Sequence, residues 1–357
     1  MQPAVSLAFA TLWREKVYPL RPAIGPQLRT SVPELSADGR IAERLLALLS
    51  SSAVRKGSLE QMQFRHCRGD LLRAIGRRVR ADKPVQLTLM AFPFKVPNPA
   101  KVGPRRLPDL AELAALVRLG DLNARVKSVY QPGLEIHILH DGSYIAPVFG
   151  IALEEVRAYE NYFSRLVDSL GNERFIYLHD FEALLRAGAS DLGRQASGLR
   201  ESMRQWQCSA RDSREWLDRF RKTLGMMDLR GMPFREVCRL LDHAETGRLP
   251  QEHCDLERQV RIAMLCYHLR DSLLHMLDPR PACFPEAIHA TTQCRPRRLA
   301  IWMVDRGRGL LPWHGVGVID RHGKWRVALA REVLGDPSFR PVFLDGEDTP
   351  FFYGQDA

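Results

Sequence analysis

The change of hydrophobic period between residues 80 and 180 constrains this chain more than any other feature. Upstream, "DGRIAERLLALLS" and "SLEQMQFRHCRGDLLRAIGRRV" carry apolar residues at helical spacing. "VQLTLMAFPF" (85–94) is instead an apolar, β-favouring run with Lys83-Pro84 before it and prolines after it, the pattern of a buried strand. "LPDLAELAALVRL" (107–119) returns to helix. Pro108 falls in its first turn, Asp109 and Glu112 stand near the positive end of the dipole, and Leu110, Leu113, Leu116 and Val117 share a face. A second strand, "LEIHILHDG" (134–142), leads to a helix striped by Val156, Tyr159, Phe163, Leu166, Val167 and Leu170 and closed by Gly171-Asn172. "RFIYLHD" (174–180) is a third strand. This β-α-β-α-β alternation predicts a mainly parallel sheet with helices on its faces.

The rest of the chain divides around that core. Residues 1–80 read as an N-terminal arm, proline-rich over 19–33, followed by helices; 81–181 hold the alternation; 182–290 read as helical, most clearly in "ERQVRIAMLCYHLRDSLLHML". From 291 to 357 β patterns return, in "RRLAIWMVD", "GVGVIDRHGKWRVALA" with a His-Gly turn, and "FRPVFLDGEDTPFFYG". The expected class is α/β, with a helical insertion and a C-terminal β-rich segment that completes the core.

Composition narrows the function classes. With 45% hydrophobic and 26% charged residues among 357, the chain reads as folded rather than disordered. A formal charge of +10 and a pI of 9.5 attract anions. The cations alternate with acids, however, as in "RESMRQWQCSARDSREWLDRFRK", so no nucleic-acid partner is expected. Seven scattered cysteines without a CxxC pair suit a reducing cytoplasm. Cys266, His268 and His275, or His253 with Cys254, lack the spacing of a metal site, so no metal is expected. No apolar run approaches the ~18 residues of a membrane span, and the N-terminus has no basic region or cleavage site, so the chain reads as soluble, unprocessed and cytoplasmic.

Ligands of open α/β sheets bind beyond the carboxyl ends of the strands. Here those ends are Phe94-Lys95, His140-Asp141-Gly142 and His179-Asp180. The first is followed by Lys101, Arg105 and Arg106 just before a helix N-terminus, a seat for a phosphate or simply an exposed basic loop. "HDG" also fits a turn, Asp180 also fits a helix cap, and His314, in "LLPWHGVGVID", is either a buried structural histidine or an acid/base. No P-loop, dinucleotide fingerprint or GxSxG elbow is present.

Four blocks in order, "FPFKVPNPAKV" with "LPDLAELAAL", then "YQPGLEIHILHDGSYI", then "LLPWHGVGVID", resemble the pyoverdine/dityrosine biosynthesis family, the isocyanide (isonitrile) synthases. The resemblance spans roughly residues 85 to 353 and implies a Rossmann-like core. It also implies an enzyme, free of metal and nucleotide, that turns the amine of tyrosine or tryptophan into an isonitrile with a carbon from ribulose 5-phosphate. A neighbouring iron/2-oxoglutarate oxygenase commonly takes the product, and a eukaryotic branch makes formyl-tyrosine instead. On this reading Lys95, Lys101 and Arg105 hold the sugar phosphate, with Asn98 fixing the loop and Arg106 a further cation. Asp141, His314 and His179 move protons, and Gly142, Tyr144 and Asp180 meet the amino acid. Gln293 and Cys294 stand where relatives often carry a basic or imidazole group, which leaves open whether His289 and residues 291–296 join the site. A non-catalytic sensor of a sugar phosphate would keep the basic loop without needing Asp141 and His314. Neither the oligomeric state nor the amino acid used is legible.

Overall fold

The computed structural model describes residues 36–51, 58–188, 214–276, 278–292, 299–301, 303 and 310–356. Two helices, α1 (Ala37–Ser51) and α2 (Ser58–Arg80), lead into β1 (Val85–Met90). Then come α3 (Leu110–Lys127), β2 (Leu134–His140), α4 (Leu153–Ser169) and β3 (Ile176–Asp180), which is the expected alternation. Helices α5 (Phe181–Gly188), α6 (Arg214–Leu224), α7 (Phe234–His243) and α8 (Cys254–Met276) form the insertion.

All pairings in the first sheet are parallel, in the order β3-β2-β1-β4. Its fourth strand, β4 (Ile288–Ala290), lies within a stretch expected to be helical. Three residues are too few to show a period, and the strand exists only because Leu87 to Leu89 supply its ladder. Thr291 continues by a bridge to Ala300, while most of "RRLAIWMVD", together with Gln293, Cys294 and Trp302, lies outside the described residues.

Strand alternation divides the sheet's chemistry. One face carries Leu87, Leu89, Ile136, Ile138, Ile176 and Ile288, buried with Leu113, Leu116, Phe163 and Leu166 of α3 and α4 in the main core. Each such side chain contributes about 1.5–3 kcal/mol of burial. The other face carries Gln86, Thr88, Glu135, His137, Tyr177, His179 and His289.

Helix α3 begins three residues later than the sequence suggests. Asp109 is its cap, accepting from Ala111 N, and Glu112 returns a bond from the Asp109 N–H. The C-terminal strands β5 (Val316–Ile319), β6 (Trp325–Ala328), β7 (Phe339–Val342) and β8 (Phe352–Gln355) make a second sheet of their own, ordered β6-β5-β8-β7. The turn through Gly323 joins β5 and β6 as an antiparallel pair. This sheet lies against the start of α3 so closely that a Cβ on Gly317 would be 2.5 Å from that of Leu110, and Gly317 N donates to Asp109 Oδ2. A second apolar cluster joins Phe94, Ile145 and Phe149 to Phe220, Leu224, Val237, Leu240 and Met264, seating the helical insertion against the loops that leave β1 and β2.

Candidate active site

The loop after β1 is anchored from several sides. Phe92 has a left-handed backbone (φ 58), an uncommon state for a bulky residue that its surroundings must enforce. Its ring packs on Phe163 and Trp313, and its carbonyl accepts from His140 Nδ1 at 2.8 Å. That bond protonates Nδ1, while burial holds His140 neutral by lowering its pKa to about 4. Asn98 accepts from Ala100 N, capping the one-turn helix Pro99–Val102, and its amide reaches Gly225 O. The loop is thereby tied to the chain leaving α6.

Three of the expected ligands have other work here. Lys95, expected at the phosphate, is buried with all three ammonium hydrogens committed: Glu112 Oε2 at 2.8 Å, Asp109 Oδ2 at 3.0 Å and Pro312 O at 3.1 Å. It joins the β1 loop, the α3 cap and the turn before His314. Arg105 is likewise buried, donating to Pro108 O and pairing with Glu347, and its guanidinium faces the rings of Tyr162 and Phe351. It fastens the second sheet to α4. Gly142 leaves no room for substrate, since a Cβ would lie 2.1 Å from Pro93 O. Its task is to let the β1 and β2 loops touch.

Lys101 and Arg106 remain available. No carboxylate or carbonyl of the described residues takes up the Lys101 ammonium, whose Nζ lies against Gly225. Burial first, and the neighbouring Arg331 second, lower its pKa to about 8. Arg106, a lesser candidate by sequence, has a buried NH1 without a hydrogen-bond partner among the described residues and a pKa lowered to about 10, by burial and then by Arg230. A cationic donor out of water, as Arg106 NH1 is, is costly unless an anion completes it.

His314 stands in the short turn Pro312–His314, half-buried, near both lysines. Burial, then the charges of Lys101 and Lys95, depress it to about 3. Asp141 follows β2, half-buried, and its carboxyl is raised to about 6 by burial and by Asp271 of α8. The two groups flank one short segment: Pro93 touches Gly142, and Lys95 reaches Pro312. The cationic loop, Asp141 and His314 therefore occupy the same end of the sheet.

Asp180 caps α5 by accepting from Glu182 N, and takes a bond from Ser143 Oγ. Tyr144 donates to Arg270 O under that residue's guanidinium. Both border Asp141 through the helix Gly142–Ile145. His179 points to the polar face of the sheet, where its Nε2 is 3.0 Å from Nδ1 of His137, a residue the sequence reading left out. The polar alternation Glu135-His137 within an apolar strand was the available signal. His289 Nδ1 pairs with Thr88 at 2.8 Å, on the same face. Tyr130, Trp313 and Phe351 pack in the core. Among the described residues no cluster of three or more side chains is arranged to hold a metal, and no helix is long and apolar enough to cross a membrane.

Residues 75–230 match the model of the family described as pyoverdine/dityrosine biosynthesis protein. An L-tyrosine isonitrile synthase of Pseudomonas aeruginosa is 31% identical over 117 residues, 33% of this chain and 35% of that protein. The L-tryptophan isonitrile synthase AmbI1 of Fischerella ambigua is 34% identical over 93 residues, 26% of this chain and 28% of that one. These matches span about a third of the relatives' lengths. The crystal structure of the PvcA protein from Pseudomonas aeruginosa superposes with a TM-score of 0.63 at 24% identity, covering 88% of this chain and 99% of that one, and so shares the fold.

Proposed function

We propose that the chain, whose residues 75–230 match the model of the pyoverdine/dityrosine biosynthesis family, belongs to that family and is an isocyanide synthase acting on the amine of an aromatic amino acid, tyrosine or tryptophan, with ribulose 5-phosphate as carbon donor. The observation that carries this reading is Lys101: a half-buried ammonium with no acceptor among the described residues, beside His314 and on the same sheet end as Asp141.

Lys101 and Arg106 hold the sugar phosphate by charge-assisted hydrogen bonds, each worth about 1.5–3 kcal/mol. A bound dianion cancels the field that the lysines impose on His314, and its imidazole then moves back toward its ordinary affinity for protons. Asp141, raised to about 6, is mostly ionised at neutral pH yet basic enough to accept a proton. After the amine has condensed with the ketone, the later carbon–carbon cleavages and loss of phosphate need one group that accepts a proton and one that donates, and these two residues take those parts. Tyr144 and Asp180 shape the approach of the amino acid. An iron/2-oxoglutarate oxygenase is the proposed consumer of the product.

Purified protein incubated with ribulose 5-phosphate and tyrosine or tryptophan should yield the isocyanide by mass spectrometry, labelled when the pentulose carries 13C at the ketone carbon. Formation of a formyl product alone would move the protein to the formyl-amino-acid branch, and no product from either amino acid would reject the reading.

A further inference from the structure

The polar face of the sheet holds a chain of three side chains that the reading above does not use as a unit. His137 Nδ1 lies 3.0 Å from His179 Nε2, a diagonal pair across β2 and β3, because His137 is in register with Tyr177 and Leu139 with His179. On the far side of the His137 ring, Nε2 is 3.5 Å from Glu135 Oε1. That separation is too long for a full hydrogen bond, and this buried nitrogen has no other partner among the described residues. Glu135 is itself held: Gln86 Nε2 donates to its Oε2 at 2.9 Å, and Arg78 NH2 stands 3.7 Å from the same oxygen. The ring of Phe284 covers both imidazoles, 4.5 Å from that of His137 and 5.3 Å from that of His179.

Geometry then selects the tautomers. Burial lowers both imidazoles below their ordinary pKa, so the pair is neutral at neutral pH, and one ring must donate to the other. A bare Nε2 of His137 would turn its lone pair toward the Glu135 carboxylate, whereas an N–H there is attracted to it. With the proton on Nε2, the Nδ1 of His137 is an acceptor. His179 must therefore donate through its own Nε2–H, which leaves its Nδ1 bare. No described residue bonds that Nδ1, and His179 is only half-buried, so a ligand can reach it. Asp141 stands two residues beyond Leu139, the register partner of His179.

We propose that Glu135 and His137 are positioning residues that lock His179 in its Nε2–H form, so that its Nδ1 is the proton acceptor for the substrate amine. This rests on the isocyanide synthase reading. His179 Nδ1 takes one proton from the amino acid's ammonium, which frees the nitrogen lone pair to form the bond to the ketone carbon; the carbonyl π pair moves to oxygen, and a second N–H proton passes to that oxygen to give the neutral carbinolamine. The imidazolium then returns that proton to the carbinolamine hydroxyl, whose C–O bond breaks as water leaves. The product is an iminium, with His179 neutral again and no oxidant or reductant consumed.

Two-bond 1H–15N spectra of the imidazoles in the full-length protein, without substrate, read the tautomer directly. The expected result is a protonated Nε2 and a bare Nδ1 on His179, shifting to a mixture of both forms in Glu135→Gln and in His137→Phe. In the same variants kcat should fall by about a hundredfold with the KM for the amino acid little changed. Glu135→Gln keeps the shape of a partly exposed residue, so it reports on the lock even if His137→Phe does not fold. A wild-type His179 protonated on Nδ1, a tautomer indifferent to both substitutions, or an unchanged kcat would overturn the proposal. The spectra need no turnover. A protein that makes no isocyanide would therefore remove the functional reading, and His179's part in it, while the tautomer lock is still judged from the spectra.

Discussion

The Lys95 ammonium lies 2.8 Å from Glu112 Oε2 and 3.0 Å from Asp109 Oδ2, with all three side chains buried. Tyr159 adds a hydrogen bond to Glu112 Oε1 at 3.2 Å, and burial raises the Glu112 carboxyl to about 7 against the opposing pull of Lys95. Two acids thus share one cation where water is excluded. Removing the cation leaves uncompensated charge rather than an empty ligand site. Lys95→Met is expected to lower stability by about 3–5 kcal/mol. Urea titration checks this: an unchanged midpoint, with weakened binding of the pentulose phosphate, would return Lys95 to the list of ligands.

Lys101 should behave in the opposite way. Its amine has no acceptor among the described residues, so Lys101→Met is expected to raise the KM for the pentulose phosphate by about 10- to 100-fold, the equivalent of one charge-assisted hydrogen bond. Stability should not fall. The folded-state pKa, about 8, lies below the ordinary 10.5, so the folded protein binds fewer protons between those values and the cost of the buried charge is relieved as pH rises through that window. The variant should therefore be the more stable protein at pH 7, with the difference closing toward pH 10. Phosphate affinity of the wild type should weaken above pH 8. Melting curves and steady-state kinetics across pH test both signs.

For Asp141, function and stability should separate. Asp141→Asn is expected to reduce kcat by about a hundred- to ten-thousandfold. Its carboxyl is raised from 3.8 to about 6, so the folded wild type holds more protons between those values and loses stability as pH climbs through them. Asparagine carries no such cost. The variant should gain stability relative to wild type between pH 4 and 6 and keep that gain above. A variant destabilised at pH 7 would show that the carboxylate is structural.

Arg105 and Arg106 make an internal comparison. Arg105→Leu strands Glu347 and strips a cation from the rings of Tyr162 and Phe351, so unfolding should come at lower denaturant, by on the order of 3 kcal/mol. Arg106→Leu removes a guanidinium whose NH1 has no partner among the described residues, and should leave the midpoint unchanged or higher while raising the KM for the pentulose phosphate. Equal effects of the two substitutions on stability would contradict the assignment.

What could be read ahead of the structure follows from local physics. The strands β1, β2 and β3 and the helices α3 and α4 announce themselves because period, caps and prolines act over a few residues. The hairpin of β5 and β6 does so through its turn. The strand β4 does not, since its only support is a ladder to residues two hundred positions earlier. Site residues behave similarly. Lys95, Asp141 and His314 were visible as chemistry at strand ends and turns, but the carboxylates that absorb Lys95 look in sequence like an ordinary helix start.

The order of periods, the helix caps and the basic loop before α3 were determined by the sequence alone, because each depends on neighbours within a turn or two of chain. Which cation is neutralised and which is left open was decided only by tertiary structure. Arg105 and Arg106 are identical in kind and adjacent in chain, yet the fold turns one toward Glu347 and leaves the other with a bare NH1. Charge in a low-dielectric interior is governed by its nearest partner in space, and that partner is set by how distant segments pack.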